Sequence, residues 1–289
     1  MCKSLRLVSV LLTVAVFVLA APSFAQTLPT FNHVFVVLEE NTNYANVIGN
    51  KSMPYLNSLV GKYGLATQYY ANTHPSIGNY FMLTTGQIIT NNDNFSGTVK
   101  NDNVVRHLLA AGKTWKAYEE DLPMPGYTKP DVANYARRHC PLSYLSDVVN
   151  SPTQILNLVP FTQFAKDRTS NTLPQYSFIT PNLCNDAHDC ALATADKWLK
   201  TNINPLIQSA SFRSGDLLII VFDESGSDNT HGGGRVAWVA VSPKFSKTAY
   251  KSTTLYQHQN TLRLMLQGLG LTSYPGKAQT ASNMAEFFK

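Results

Sequence analysis

The feature that most constrains this fold is a pair of uninterrupted apolar runs, HVFVVL at residues 33–38 and LLIIVF at residues 217–222. Runs of this length without polar alternation are typical of strands buried on both faces, as in a parallel sheet covered by helices. Acidic residues follow each run, with Glu40 after the first and Asp223 after the second. Since ligands bind at the carboxyl ends of strands in open α/β sheets, the pattern predicts that these acidic residues meet in one crevice.

Weaker patterns fill the rest of the chain. They predict strands at 176–179 and 236–241, a helix that starts near Ser76, and helices at 103–111, 194–208 and 257–268. Strands that alternate with helices predict a single α/β domain with a mainly parallel central sheet and helices on both faces.

The amino terminus has the pattern of a signal peptide. Lys3 and Arg6 precede an apolar run over residues 7–21, and a Ser-Phe-Ala sequence ends at residue 25. The run is shorter than the roughly 20 residues that span a bilayer, which favours a cleaved leader over a membrane anchor. We therefore expect a signal peptide at 1–25, a folded domain at 26–289, and a secreted or periplasmic protein without a transmembrane segment.

The charge balance argues against a nucleic-acid partner. The chain carries 23 basic and 18 acidic residues, a formal net charge of +5, and only 14% of it is charged. The basic residues are scattered along the sequence rather than clustered, so they offer no patch for a phosphate backbone.

Three cysteines remain once the leader with Cys2 is removed. Cys184 and Cys190 would close a short loop, and an oxidising compartment favours a disulfide there, although Cys140 competes for either partner. A cysteine-based zinc site is less favoured because the sequence has no Cys-x-x-Cys motif.

Acidic side chains at two strand ends predict a metal site. Glu40 and Asn41 from one end and Asp223 and Glu224 from the other bring together three carboxylates and an amide oxygen. Their mutual repulsion needs a cation, and oxygen ligands suit magnesium, calcium or manganese, whereas added histidine shifts the preference toward zinc or iron. The alternative is that Asp223 and Glu224 form an ordinary solvated turn.

Ser76 lies where a helix is predicted to start, after Thr73-His74-Pro75. Helix N-termini bind anions, so phosphate held there beside a metal would meet an activated serine nucleophile. The amide of Asn79, three residues on, is then placed to bind a non-bridging phosphate oxygen. The alternative is that Ser76 only caps the helix.

Four of the seven histidines lie in polar or glycine-rich motifs, and a structural role is the alternative for each; they are His74, His188, His231 and His258. The other three are assigned no role beyond structure or surface; they are His33, His107 and His139.

The ordered motifs resemble one known family. Five motifs, in this order, are similar to those of the bacterial and fungal phosphoesterase family, which contains acid phosphatases and phospholipases C. They are Glu40-Asn41, His74-Pro75-Ser76-x-x-Asn79, Asn185-Asp-x-His188-Asp189, Phe222-Asp223-Glu224 and Tyr256-x-His258. That family belongs to the alkaline phosphatase superfamily. The short exported form is similar to secreted acid phosphatases of the phosphatidylinositol-3-phosphatase type.

The resemblance implies roles for these residues. It implies an alkaline phosphatase-like fold and a divalent metal held by five residues, Glu40, Asn41, Ser76, Asp223 and Glu224. It also implies that His188 and His258, with His74 and His231, bind or protonate the phosphoryl group. Gly78 departs from the family pattern, in which proline usually precedes the asparagine, and predicts a looser start to the helix.

These observations predict a secreted, metal-dependent acid phosphatase that hydrolyses small phosphorylated substrates, phospholipids and phosphoinositides included, through a phosphoserine. A histidine that acts as general acid predicts an acidic to near-neutral pH optimum for activity. One alternative is a phosphodiesterase of phospholipase C type. Another is an exported metal- or phosphate-binding protein without turnover.

Overall fold

The computed structural model describes Met1 and residues 28–288. Apart from Met1, the predicted signal peptide at 1–25 lies outside the described residues, so its assignment stays a prediction. Within the described part of the chain, no helix is both long enough and apolar enough to cross a membrane.

An eight-stranded sheet forms the centre of the described chain. Its strands are β1 (Val34–Glu39), β2 (Gly64–Tyr70), β3 (Trp115–Glu119), β4 (Leu158–Pro160), β5 (Tyr176–Thr180), β6 (Leu217–Phe222), β7 (Trp238–Val241) and β8 (Lys251–Gln257). Their order is β4-β3-β5-β1-β6-β7-β2-β8. Seven of these strands share one direction, and β7 is antiparallel to its neighbours β6 and β2. The predicted α/β fold with a mainly parallel sheet is therefore confirmed.

The two apolar runs form adjacent strands at the middle of the sheet. β1 and β6 pair in parallel from Val34 opposite Leu217 to Glu39 opposite Phe222, and every residue of both strands is buried. The strand expected at 176–179 is β5, whereas the one expected at 236–241 begins two residues later, at Trp238.

Ten α-helices surround this sheet in the described chain. They are α1 (Tyr44–Val47), α2 (Pro54–Val60), α3 (Ser76–Thr85), α4 (Val104–Ala110), α5 (Ser146–Val149), α6 (Thr162–Thr169), α7 (Leu192–Asn202), α8 (Asn204–Ile207), α9 (Ala210–Arg213) and α10 (His258–Gly268). Short 3₁₀ helices lie at Arg137–His139, Pro141–Tyr144, Ile155–Asn157, Thr230–Gly232, Gly276–Gln279 and Ala285–Phe288.

The helix predicted at 194–208 is two helices. The break falls at Ile203, and Pro205 occupies the second position of α8. Proline has no N–H to continue the hydrogen bonds of α7 but is tolerated in a first turn, so a new helix starts there. The helices predicted at 103–111 and 257–268 are confirmed as α4 and α10. α4 is one residue shorter at each end, and α10 is one residue shorter at its start.

Helices cover both faces of the sheet. Phe35 on β1 packs against Phe164 of α6 and Phe212 of α9. Phe178, in register with the next residue of β1, packs against Tyr80 of α3. Because successive side chains of a strand point to opposite faces, α3 lies on the other side from α6 and α9.

Candidate active site

The carboxyl ends of β1 and β6 bring the predicted acidic residues to Ser76. The Ser76 hydroxyl donates to Glu40 Oε2 at 3.0 Å and lies 3.2 Å from Glu224 Oε1. Asp223 continues the pairing of the two strands, since its N–H donates to the Glu39 carbonyl at 2.9 Å. The sequence-predicted group of Glu40, Ser76 and Glu224 is thus one contact cluster.

A tight backbone turn delivers Asn41 to the same place. Asn41 has a φ of 43°, in the left-handed region that asparagine tolerates better than most residues. Its N–H donates to Asp223 Oδ1 at 3.2 Å, which ties the end of β1 to the end of β6.

The cluster is buried and has an excess of negative charge. Glu40 and Asp223 are fully buried, and Glu224 is 6% exposed. Burial, together with the neighbouring Asp223 and Asp186 carboxylates, raises the pKa of Glu40 well above its usual range. Burial and Glu224 do the same to the pKa of Asp223, and burial raises the pKa of Glu224 to about 7. Three carboxylates in this space ionise together only if a cation balances them.

Two oxygen atoms in the cluster fit a metal ion. Asn41 Oδ1 and Asp223 Oδ2 are buried and have no hydrogen-bond partner among the described residues. Buried polar atoms are normally satisfied, so these two indicate a missing partner. Their chemistry, carboxylate and amide oxygen beside a serine hydroxyl, suits a hard divalent cation. The chemistry of the five predicted ligands therefore suits such an ion, and their assignment to it stays a prediction.

Ser76 is the first residue of α3 and not its cap. Pro75 occupies the N-cap position and makes no side-chain capping bond, and the Ser76 hydroxyl contacts carboxylates rather than helix N–H groups. All ten residues of α3 are buried, including the polar residues Ser76, Asn79, Thr84 and Thr85. The alternative interpretation of Ser76 as a capping serine does not match this geometry.

Asn79 holds the segment that leads into Ser76. Its Oδ1 accepts from the N–H groups of Asn72 and Thr73 at 2.9 and 3.2 Å, and its Nδ2 donates to the Thr73 carbonyl at 2.9 Å. Asn79 is fully buried. The amide group is thus engaged with the protein backbone, and its predicted contact with a phosphate oxygen stays a prediction.

His74 and His258 have both ring nitrogens engaged. His74 Nδ1 lies 2.5 Å from Glu224 Oε2, and its Nε2 lies 3.1 Å from the Asp228 carbonyl. His258 Nε2 lies 2.6 Å from the Asp223 carbonyl and therefore carries a proton, so Nδ1 accepts from the Tyr69 hydroxyl at 3.0 Å. Burial lowers the pKa of His258 to about 4. Both histidines brace the acidic turn after β6.

His188 and His231 are more accessible. His188 Nδ1 lies 2.6 Å from Asp189 Oδ1, which directs Nε2 away from that carboxylate, and 28% of its side chain is exposed. His231 is exposed, and its ring packs edge-on against Tyr70. No described hydrogen bond joins the His231 ring to Ser76, so its catalytic role stays a prediction.

Sequence reasoning missed His139. This histidine is 2% exposed and stacks on Tyr80, with its Nε2 3.4 Å from Glu40 Oε1 and its Nδ1 3.6 Å from Asp186 Oδ2. Burial, and then Arg138, lower the pKa of His139 well below its usual range. From the sequence, His139 has no predicted role beyond structure or surface, because no local pattern reveals the stack on Tyr80.

Glu40, His139 and Asp186 form a candidate metal-binding triad. One ligand atom from each lies within 4.8 Å of the others. His139 Nε2 and Asp186 Oδ2 are buried without a hydrogen-bond partner among the described residues. A histidine nitrogen in the donor set shifts the preference toward zinc or iron.

The predicted disulfide is present. Cys184 and Cys190 are bonded, and Cys140 is a buried free thiol. The bond closes the loop that carries Asp186 and His188. Within it, Asp186 Oδ1 accepts from the His188 N–H at 2.8 Å.

Solved structures with the same fold define its class. A lipoteichoic acid synthase from Listeria monocytogenes matches 90% of this chain and 76% of its own, with a TM-score of 0.62 and 11% identity. A Vibrio parahaemolyticus protein of the alkaline phosphatase superfamily matches 88% of this chain and 72% of its own, with a TM-score of 0.58 and 12% identity. The fold is therefore that of the alkaline phosphatase superfamily.

Sequence similarity is more specific. Residues 50–272 match the Phosphoesterase family. A phosphatidylinositol-3-phosphatase of Mycobacterium tuberculosis is 35% identical over 265 residues, which cover 88% of this chain and 83% of that protein. An acid phosphatase of Aspergillus fumigatus is 35% identical over 206 residues, which cover 68% of this chain and 45% of that protein. This chain therefore belongs to the phosphoesterase family and is a hydrolase of phosphoric esters.

Proposed function

We propose that this protein is an exported, metal-dependent acid phosphatase that hydrolyses phosphomonoesters through a phosphoserine at Ser76. The observation that carries the proposal is the position of the Ser76 hydroxyl, which contacts two buried carboxylates beside two unpartnered buried oxygens. A structural serine has no need of such an arrangement. A nucleophile that must lose its proton beside a cation does.

We assign the ion to Glu40, Asn41, Ser76, Asp223 and Glu224. When bound there, a divalent cation supplies positive charge that favours the ionised serine oxygen and stabilises the charge that develops on the phosphoryl group. Glu40 and Glu224 orient the Ser76 hydroxyl. The Tyr80 hydroxyl, which donates to Glu40 Oε1 at 2.5 Å, fixes the Glu40 carboxylate in turn.

The reaction has two steps on the protein. The Ser76 hydroxyl releases its proton to solvent, its oxygen attacks phosphorus, a P–O bond to serine forms, and the bond to the leaving oxygen breaks. Water then attacks the phosphorus of the phosphoserine, which releases inorganic phosphate and regenerates the Ser76 hydroxyl. Each step inverts phosphorus, so the overall reaction proceeds with retention of configuration.

His188 is the histidine that we assign as proton donor to the leaving oxygen. Asp189 engages its Nδ1, and the Nε2 is the ring nitrogen left to face a substrate. We assign His258 and His74 to positioning, since His258 holds the Asp223 backbone and His74 holds Glu224. A histidine proton donor favours an acidic to near-neutral optimum.

The substrate we propose is a small phosphomonoester, with phosphorylated lipid headgroups included because one relative is a phosphatidylinositol-3-phosphatase. Export follows from the leader pattern at 1–25. Intact-mass spectrometry of the secreted or periplasmic fraction tests export. A mass that corresponds to a chain beginning near Gln26 supports it, and the mass of residues 1–289 in that fraction contradicts it.

The test compares turnover of p-nitrophenyl phosphate with turnover of bis-p-nitrophenyl phosphate, with and without a chelator. We expect faster turnover of the monoester, loss with chelator, and recovery with added divalent metal. An acid quench during turnover, followed by peptide mass spectrometry, is expected to find phosphate on Ser76. Faster turnover of the diester favours a phosphodiesterase, and no turnover of either favours a binding protein.

A further inference from the structure

The start of α3 already holds a carboxylate that belongs to neither metal-ligand set. The Ile77 N–H, the next backbone donor after Ser76, donates to Asp93 Oδ1 at 3.3 Å. Asp93 lies in the loop at 86–103, between α3 and α4, and is partly buried. The backbone N–H of Gly78 is also occupied, since it donates to the Pro75 carbonyl at 3.3 Å. A phosphate that arrives at this helix end therefore finds the N–H groups of Ile77 and Gly78 already paired.

Gly78 permits the loop to come this close. A Cβ at residue 78 would collide with Asn91 Oδ1 and Thr73 Cγ2. Asn91 Nδ2 donates to Thr73 Oγ1 at 2.9 Å, which fastens the loop to the segment before Ser76. Glycine at this position, where the family pattern has proline, makes room for the loop that carries Asp93.

The charge of Asp93 reaches the active site. It is among the causes that raise the pKa of Glu224, after burial, and it opposes the lowering of the His139 pKa. Asp93 also lines a cavity of about 280 Å³ together with Arg137 and Tyr144. The cavity offers space into which the Asp93 side chain can turn when it leaves the Ile77 N–H.

We propose that Asp93 is a specificity-determining residue that occupies the Ile77 N–H in place of a phosphoryl oxygen, so that phosphate must displace its carboxylate to bind. This inference rests on the proposed function, because it assumes that phosphate binds at Ser76. An anion at this position weakens the binding of inorganic phosphate and of doubly charged monoesters, and it speeds release of the product.

A structural role makes a different prediction. The N-cap residue Pro75 provides no side-chain cap, and Asp93 would then only cap α3 from a neighbouring loop. Removal of a cap lowers the stability of the protein and does not improve ligand binding. Tighter phosphate binding after removal of the charge therefore separates the two roles.

The experiment measures the dissociation constant of inorganic phosphate by calorimetry. The buffer contains the divalent cation that gives the highest turnover, or Mg²⁺ if no cation gives turnover. We expect Asp93→Asn to bind phosphate about fivefold to tenfold tighter than the unmodified protein. With p-nitrophenyl phosphate, we expect a lower KM and an unchanged or lower kcat. Asp93→Ala, which also loses the hydrogen bond, should bind phosphate more tightly as well.

Asp131→Asn is the matched control. Asp131 lines the same cavity, but its carboxylate engages Arg138 at 3.0 Å and the Arg137 N–H at 2.8 Å rather than α3. We expect its phosphate affinity to change by less than about twofold. Unchanged or weaker phosphate binding by folded Asp93→Asn, as judged by its melting temperature, overturns the inference. Absence of turnover removes the proposed function alone, because the phosphate affinities still decide the role of Asp93.

Discussion

Asp167 on α6 and Asp223 after β6 are both buried carboxylates, and the protein surrounds them in opposite ways. Asp167 accepts from Lys116 Nζ at 2.5 Å, from the Tyr118 hydroxyl at 2.6 Å and from Gln163 Nε2 at 2.9 Å. Burial alone would raise the pKa of Asp167, but Lys116 and the hydroxyl outweigh it and lower that pKa.

Asp223 has no lysine or arginine partner among the described residues, and its Oδ1 accepts from the Asn41 N–H. One of its oxygens lacks a hydrogen bond among the described residues, and its neighbour Glu224 adds negative charge. The difference between the surroundings of Asp167 and Asp223 shows that a buried carboxylate can serve either stability or metal binding. The Asp167 cluster is complete within the chain and contributes to stability, whereas the Asp223 cluster lacks the positive charge that its own burial demands.

The largest effect that we expect comes from removing one hydroxyl at each cluster. Ser76→Ala should lower kcat by about three orders of magnitude or more, roughly 4 kcal/mol of transition-state stabilisation, with little change in melting temperature. Tyr118→Phe deletes a hydroxyl that also donates to a buried carboxylate. It should cost about 1 to 2 kcal/mol of stability and leave kcat unchanged. Steady-state kinetics and thermal melts decide, and the comparison fails if Ser76→Ala keeps its turnover and loses stability.

Glu119 at the end of β3 sharpens the comparison as a third buried carboxyl. Burial raises its pKa from 4.5 to about 8. Between these values the folded protein binds a proton that the unfolded chain has released, so the free energy of unfolding falls as pH rises through this window. Below about pH 4.5 Glu119 costs no stability, because the carboxyl is protonated in both the folded and the unfolded state. At 1.4 kcal/mol per pH unit, its raised pKa lowers the free energy of unfolding by about 4 kcal/mol at pH 8.

Glu119→Gln removes this titration. We expect the variant to match the unmodified protein near pH 4.5 and to exceed it in stability at pH 8, as measured by denaturant unfolding at both pH values. A difference between the two proteins that does not change with pH would contradict the raised pKa.

A smaller effect follows from removing each aspartate in the presence of a chelator. Asp167→Ala leaves Lys116 without its partner and should destabilise the protein by about 2 kcal/mol, since the lysine is partly exposed. Asp223→Asn relieves repulsion and should raise stability by about 1 kcal/mol. Chemical denaturation measures both, and a loss of stability in Asp223→Asn would show that its charge is already balanced within the chain.

The sequence predicted those parts of the fold that have a strong local pattern. β1 is apolar up to Glu39 and β6 is apolar throughout, so their strand character and their burial on both faces follow from composition. β8 reads KSTTLYQ and is mostly exposed at the sheet edge, and β2 mixes glycine and polar residues, so neither has a comparable signal. The antiparallel direction of β7 depends on the connections around it, which no residue pattern within the strand specifies.

The candidate site was predictable to the same degree. Glu40, Ser76 and Glu224 lie beside predicted strand and helix ends, and the topology of a parallel sheet brings such ends together. His139 was missed because its position depends on a stack with Tyr80 from another element. The bracing contacts of His258 with Asp223 and Tyr69 are likewise tertiary, and sequence spacing does not distinguish them from contacts with a substrate.

Metal binding to the chelator-stripped protein tests the central claim most directly. The measurement is the melting temperature during titration with Mg²⁺, Mn²⁺ or Zn²⁺, for the unmodified protein and for Asp223→Asn and Asp167→Asn. Since a ligand that binds only the folded state stabilises it, we expect the metal to raise the melting temperature of the unmodified protein by several degrees. Asp167→Asn should start from a lower melting temperature and show the same rise, whereas Asp223→Asn should show little or none. Absence of a rise in the unmodified protein with all three metals, or an equal rise in Asp223→Asn, would contradict the claim that the carboxylates around Ser76 hold a cation.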